Sequence, residues 1–280
     1  MSNNDFSYAN RGIIIRLIYL FVSLIFAILI GFGKFNRGRI VVLCYHAVKS
    51  EQKNMFHKQI NWISKRLISL LDLDTIDKKN DYVCITFDDA FECLIETVLP
   101  ITHELNTPIA IFAVTNNFGA QPKWVMNKDR PDREERIMTK QQLLYADNFE
   151  HCLIGSHTAN HERLGCLSID RIQNELLESK LILENLLQHE VQYLALPHGS
   201  YTNKVIDIAI KTGYKRILTL DEICRPERWP LWTIGRFIVS PNMWMIEFQL
   251  TVIGAYAWLF QWRQMIKRIR KLFMSKEVVN

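Results

Sequence analysis

The chain reads as an α/β protein built on parallel strands, and two observations predict it. Short apolar, β-branched runs alternate with longer segments of helical periodicity from residue 40 to residue 239, the pattern of strands joined by right-handed helical crossovers. The chemistry-bearing residues, Asp88-Asp89 and then His157 with His161, directly follow two of those runs, where α/β folds place their active sites.

Strands are expected at 40–45, 83–87, 109–114, 153–155, 193–196, 216–218 and 237–239, each too short for a helix and rich in Ile, Val, Leu and Phe. Helices are expected at 56–71, 90–105, 140–147, 169–187 and 204–212. With no internal repeat or low-complexity linker, 40–240 reads as one catalytic domain behind a short tail at 1–12. Residues 116–136 are charged, carry Trp124, and are too long for a tight connection, so they are expected to cover the site and to offer an aromatic ring that can stack on a sugar.

The termini are different in kind. Mean hydropathy is −0.02, high for a water-soluble enzyme, and the excess lies at the two ends. Residues 13–33 are apolar but for Arg16 near the start, long enough for a transmembrane anchor and without a small-residue cleavage site. Residues 244–280 begin apolar, with Trp244, Trp258 and Trp262, and turn basic at Arg263, Lys267, Arg268, Arg270 and Lys271, which suits an amphipathic helix at headgroup level. The net charge of +5 therefore points to anionic lipid, and not to nucleic acid, for which no motif is present. Arg11 and Arg16 before the first segment face Lys34, Arg37 and Arg39 after it, a margin of one charge toward a cytoplasmic domain on a bacterial inner membrane. Six cysteines without C-x-x-C spacing read as reduced core thiols.

Thr86-Phe87-Asp88-Asp89 ends a strand, so both carboxylates can reach one site where the chain turns. His157 and His161, spaced i, i+4, can aim two ring nitrogens at one ion from a helical turn or helical loop. Two imidazoles and one carboxylate leave a position open for water, as catalytic zinc sites do, and the second aspartate is placed to take that water's proton. The ligand set suits one divalent ion, Zn²⁺ first, with Co²⁺, Ni²⁺ or Fe²⁺ compatible.

This ordered series, completed by Gly155-Ser156-His157 and by Ala195-Leu196-Pro197-His198-Gly199, resembles the polysaccharide deacetylase family, the NodB-homology carbohydrate esterases. The resemblance runs from about residue 40 to 239 and implies a distorted (β/α) barrel of about seven strands. It implies Asp88 as catalytic base, Asp89, His157 and His161 as metal triad, and the N–H of His198, between Pro197 and Gly199, as oxyanion donor. Two departures stand out: Ala195 replaces an arginine that orients the base, and no histidine follows His198 to serve as general acid. Tyr45-His46 is similar to the opening of the poly-N-acetylglucosamine deacetylase branch, which makes His46 the first candidate for that acid and His198 the second. A core histidine bonded to backbone is the competing reading of His46. The expected activity is removal of an N-acetyl group from an amino sugar in a polysaccharide or lipid-linked glycan. The alternatives are deformylation or deacylation of a polyprenyl-phosphate-linked amino sugar, and a non-catalytic membrane-bound glycan-binding protein. Oligomeric state is left open by the sequence.

Overall fold

A computed structural model describes residues 12–29, 38–77, 79–126, 130, 132–224 and 232–277. Eight parallel strands form one sheet: β1 (Ile40–Tyr45), β2 (Tyr82–Phe87), β3 (Ile109–Ala113), β4 (Cys152–Ser156), β5 (Tyr193–Ala195), β6 (Arg216–Leu218), β7 (Thr233–Ile234) and β8 (Phe237–Ile238). Their spatial order is β7-β6-β5-β4-β3-β2-β1-β8. The two outermost strands are consecutive in the chain, with only Gly235 and Arg236 between them, so one short segment borders β6 through β7 and β1 through β8. The sheet is therefore curled. Of the seven strands expected, each has its counterpart; the two-residue β7 carries too little pattern to be read from sequence.

The strands are apolar on both faces because both are buried, as parallel sheets require. Val41, Leu43 and Tyr45 of β1 belong to the large outer core with the helices. Ile40 and Val42 belong to a smaller inner cluster with Cys84, Ala110, Phe112, Tyr193, Ala195, Leu218 and Ile234. Leu70 and Leu73 join the inner cluster from a 3₁₀ turn, and the Tyr193 hydroxyl donates to the Leu70 carbonyl at 3.2 Å. That tuck is why the helix expected at 56–71 stops early: α2 covers Lys53–Ile63, and Leu67 bridges to Val83 instead of continuing it. The helix expected at 90–105 is likewise two short ones, α3 (Leu94–Thr97) and α4 (Leu99–Glu104), because Ala90 is left-handed at φ 52° and Pro100 opens α4. The remaining crossovers, α5 (Lys140–Asp147), α6 (Ile169–Leu187) and α7 (Asn203–Lys211), lie within a residue of expectation.

Both apolar ends of the chain meet the domain. α1 covers Ile13–Leu29, 17 residues, and among the described residues no helix is long and apolar enough to cross a membrane. Residues 30–33 of the expected anchor lie outside the described residues. α1 packs against the domain: Arg16 forms a two-pronged pair with buried Glu247 at 3.1 and 2.5 Å, and Trp258 donates to Ser23 Oγ at 2.9 Å. The stretch at 244–262 is not a free surface helix either. Its first part is α8 (Met245–Val252), with Phe248, Leu250 and Val252 in the core. α9 (Trp258–Glu277) alone carries the exposed apolar stripe of Trp262, Met265 and Ile269.

Inside the sheet one glycine decides the packing. A Cβ on Gly155 would lie 2.4 Å from Phe112 Cε1 and 3.0 Å from the Tyr193 carbonyl oxygen. Gly155→Ala is therefore expected to overpack the inner layer and lower stability by about 1–3 kcal/mol in denaturant melts, and an unchanged melt would show that Phe112 can leave its place freely.

Candidate active site

The site assembles at the C-terminal ends of β1, β2, β4 and β5. Asp88 follows β2 and its N–H donates to the Tyr45 carbonyl at 2.9 Å, so the chain is still pinned to β1 as it leaves the sheet. The next residues, Asp89 and Ala90, are left-handed at φ 70° and 52°, which turns the chain sharply and brings both carboxylates to one side. After β4, His157 keeps a sheet-like bond to the Ala113 carbonyl, and then Thr158 and His161 are left-handed at φ 66° and 59°. The two histidines thus sit on a strained loop, neither a helical turn nor a helical loop. His198 adds another left-handed residue at φ 57°. Five of the non-glycine residues with positive φ are gathered here, and conformations that cost of order 1–3 kcal/mol each persist only where surrounding contacts impose them.

Those contacts are identifiable. Glu175 of α6, buried, accepts from the Asn160 N–H at 2.9 Å and from its Nδ2 at 2.6 Å. Ser156 Oγ accepts from the Thr158 N–H, and Thr158 Oγ1 accepts from the His161 N–H. The sequence motif named two histidines; the residues that bend the loop between them, Asn160 and Glu175, had no signal of their own.

Asp88 is held by Arg236, from the link between β7 and β8. The guanidinium is fully buried and donates to Asp88 Oδ1 at 2.7 Å and Oδ2 at 2.9 Å, to Thr86 Oγ1 at 3.2 Å and to the Thr219 carbonyl at 3.3 Å. The Cys44 thiol, pushed well up by burial and so a neutral donor, reaches Asp88 Oδ2 at 3.3 Å. Burial alone would raise the Asp88 carboxyl, but the charge and hydrogen bonds of Arg236, with His157, bring it down to about 2, and it is ionised throughout the neutral range. Arg236 takes the place left by Ala195. Its only sequence signal is a charge inside the apolar run Thr233-Ile234-Gly235-Arg236-Phe237-Ile238.

Asp89, His157 and His161 each offer an atom within 4.8 Å of the others. Asp89 Oδ1 lies 3.6 Å from His157 Nε2 and 3.3 Å from His161 Nε2, yet Oδ1 and His161 Nδ1 are buried without a hydrogen-bond partner. His157 Nδ1 donates to the Ala195 carbonyl at 2.8 Å, which fixes its tautomer and leaves Nε2 as a lone-pair donor. A buried carboxylate oxygen without a hydrogen-bond partner, facing the ring nitrogens of two imidazoles, is what a divalent cation satisfies, so these residues fit a metal.

His46 follows β1, and a ring nitrogen lies within 4.8 Å of Cys44 Sγ and of an Asp88 oxygen. Burial and the charge of Arg130 lower its basicity, against the pull of Asp89 and Asp88. The His198 ring stands 4.6 Å from the His161 ring, and burial and His161 bring it down to about 3. Both acid candidates are therefore neutral at pH 7 in this arrangement. The N–H of His198 meets no acceptor among the described residues. Pro197 is buried beside it, and Gly199 is tight as well as left-handed, since a Cβ would lie 2.8 Å from Leu220 Cβ. Trp124, half-buried, is stacked on His161 at 4.1 Å and 25° and so walls the Asp-His-His side of the site. Beside Gly199 opens a cavity of about 270 Å³ bordered by Tyr201, Asp221, Glu222, Phe260 and Arg263.

A buried, arginine-held carboxylate next to an Asp-His-His cluster at the strand ends of a curled parallel sheet is the arrangement of a hydrolase. The family model described as polysaccharide deacetylase matches residues 75–217, just over half of the chain, and the chain belongs to that family. It is 23% identical over 220 residues to the putative polysaccharide deacetylase YxkH of Bacillus subtilis, covering 74% of this chain and 73% of that one. It is 24% identical over 201 residues to the poly-β-1,6-N-acetyl-D-glucosamine N-deacetylase of Staphylococcus aureus strain N315, covering 69% of each. Among solved structures it superposes on IcaB from Ammonifex degensii with a TM-score of 0.64 at 19% identity, over 78% of this chain and 97% of that one. The Streptococcus pyogenes deacetylase PplD in complex with acetate gives 0.63 at 21%, over 76% and 97%.

Removing the arginine should expose the dependence. Arg236→Met strands a buried carboxylate and is expected to cost about 3–5 kcal/mol in unfolding free energy. Adding Asp88→Asn to it should return a large part of that loss, and a purely additive double variant would deny the coupling.

Proposed function

We propose that the chain is a metal-dependent N-deacetylase of an N-acetylated amino sugar in a polysaccharide, with N-acetylglucosamine polymers as the leading substrate class. The observation that carries this reading is the division of labour between adjacent aspartates: Asp88 is ionised and held by Arg236, while Asp89 is left with an orphaned oxygen beside two imidazoles. A binding module has no evident use for that division. The names of the relatives support the substrate class, and the cavity beside Gly199 offers room and polar partners for a neighbouring sugar unit.

Asp89, His157 and His161 would hold the ion, which when bound supplies Lewis-acid polarisation of the acetamide carbonyl and a water acidic enough to be deprotonated near neutral pH. Asp88 takes a proton from the attacking water, and Arg236 and Cys44 hold the carboxylate in place while it does so. The N–H of His198, fixed by the left-handed backbone between Pro197 and Gly199, donates to the oxygen on which negative charge develops. The carbon–nitrogen bond breaks as the nitrogen is protonated, leaving a free amine and acetate. Because His46 is neutral at rest and adjoins Asp88, it serves as acid by receiving the proton that Asp88 has taken up and passing it to the amine. The apolar face of α1, described below, favours an acceptor near lipid, and a lipid-linked amino sugar with a different N-acyl group is the second reading.

Acetate release from N-acetylated oligosaccharides should depend on metal, stop with a chelator and return on adding a divalent ion. Asp88→Asn is expected to keep its metal and lose roughly 10²–10⁴ in kcat, whereas His157→Ala should lose metal and activity together. Full metal occupancy in His157→Ala would overturn the ligand assignment. His46→Ala should lower kcat far more than it raises KM, and a silent His46→Ala beside a crippled His198→Ala would move the acid role to His198.

A further inference from the structure

The polarity of α1 is inverted. Of its 17 residues only Arg16, Tyr19 and Ser23 carry polar side-chain atoms, and all three face the protein. Arg16 is paired with Glu247 and lies 4.2 Å over the Trp244 ring, Tyr19 meets Trp258 edge-on at 5.5 Å, and Ser23 accepts from Trp258 Nε1. With buried Ala27 these residues follow one another at helical spacing along one stripe. The opposite stripe, Ile14, Ile18, Phe21, Ile25 and Ile28, is exposed throughout, from 45% at Ile25 to 73% at Ile28. A helix lying on a domain in water does the reverse, with apolar side chains inward and polar ones outward. Side chains that pair their charges inward and turn Ile and Phe outward are arranged for a hydrocarbon surround.

We propose that α1 is an in-plane membrane-docking helix, clamped to the catalytic domain through Arg16–Glu247 and embedded in one leaflet by its Ile-Phe stripe. The occupant of that stripe is lipid. Docking runs from Arg16 to Ala27, roughly 16 Å of helix at 1.5 Å per residue, so a crossing orientation would drag the domain into the bilayer along three turns. Charge complementarity supports the same occupant: α9 starts against α1 at Trp258 and exposes Trp262, Met265 and Ile269, and beyond Arg263, which pairs with Glu222, its sequence from 267 to 271 holds four basic residues and no acidic one. Trp at the interface and lysine or arginine beside it match an anionic headgroup layer. The clamp fixes the domain to the helix, so the active site is held at a constant height and tilt over the surface. The inference stands independently of the chemistry proposed above.

The test uses the full chain and flotation with phosphatidylcholine vesicles containing phosphatidylglycerol. The wild-type protein should float with the vesicles, and combined Ile14→Ser, Ile18→Ser, Phe21→Ser and Ile25→Ser should cut the floating fraction at least tenfold while leaving the melting temperature and acetate release from a soluble oligosaccharide unchanged. If the fourfold variant misfolds, Ile14→Ser with Ile28→Ser should still lower flotation. A wild-type protein that stays in the dense fraction would overturn the proposal. So would a wild-type dimer in solution, by light scattering, that the fourfold variant converts to monomer, because a second copy of the chain would then be the occupant.

Discussion

The pairing of Asp88 with Arg236 ties together the parts of this molecule that matter. The carboxylate leaves the end of β2, and the guanidinium stands in the two-residue link where one segment passes from the edge of β6 to the edge of β1. Ion pairs this deeply buried are seldom a source of net stability, because desolvating both charges offsets their attraction. What the pair secures is protonation state and aim. An aspartate with its acid form favoured by burial is kept as a base by one arginine, whose other donors are taken by Thr86 and the Thr219 carbonyl. The same contacts hold the two ends of the sheet in one register.

A second constraint is backbone strain. Asp89, Ala90, Thr158, His161 and His198 all adopt left-handed conformations, and none is glycine. The loops are bent to make functional groups converge, and the strands beneath them anchor the bends. Both aspartates lean on the β1–β2 register, and His157 on the β3–β4 register through the Ala113 carbonyl. The inner core acts on the site through these strands, which is why the missing side chain at Gly155, where Phe112 fills the space, bears on the chemistry above it.

Much of this was legible in the sequence, for physical reasons. Strands buried on both faces are uniformly apolar and stand out, as 40–45 and 109–113 do. Asp88, Asp89, His157 and His161 lie within short motifs, and the structure brings all four together with His46 and His198. Arg236 was not legible because its partner is 148 residues away and its own strands are two residues long. Glu175 reads as one more polar position on a helix until its carboxylate is found against Asn160. The termini are harder to read for a related reason: hydropathy counts apolar residues without knowing which face they occupy, and the polar side chains of 13–29 form a stripe that meets the domain.

The position of the orienting arginine also shows how a site can keep its electrostatics while its scaffold is rearranged. Residue 195 is inward-facing in β5, within the same inner cluster as Phe112 and Ile234. An arginine there would need room beside Phe112, where Arg236 now lies with its guanidinium 5.7 Å from the ring centroid. One carboxylate can take one two-pronged partner, so a cation at 236 leaves no charge for a cation at 195 to meet. Ala195 contributes through its backbone, its carbonyl setting the tautomer of His157. The charge that steers Asp88 comes from the strand junction that closes the sheet.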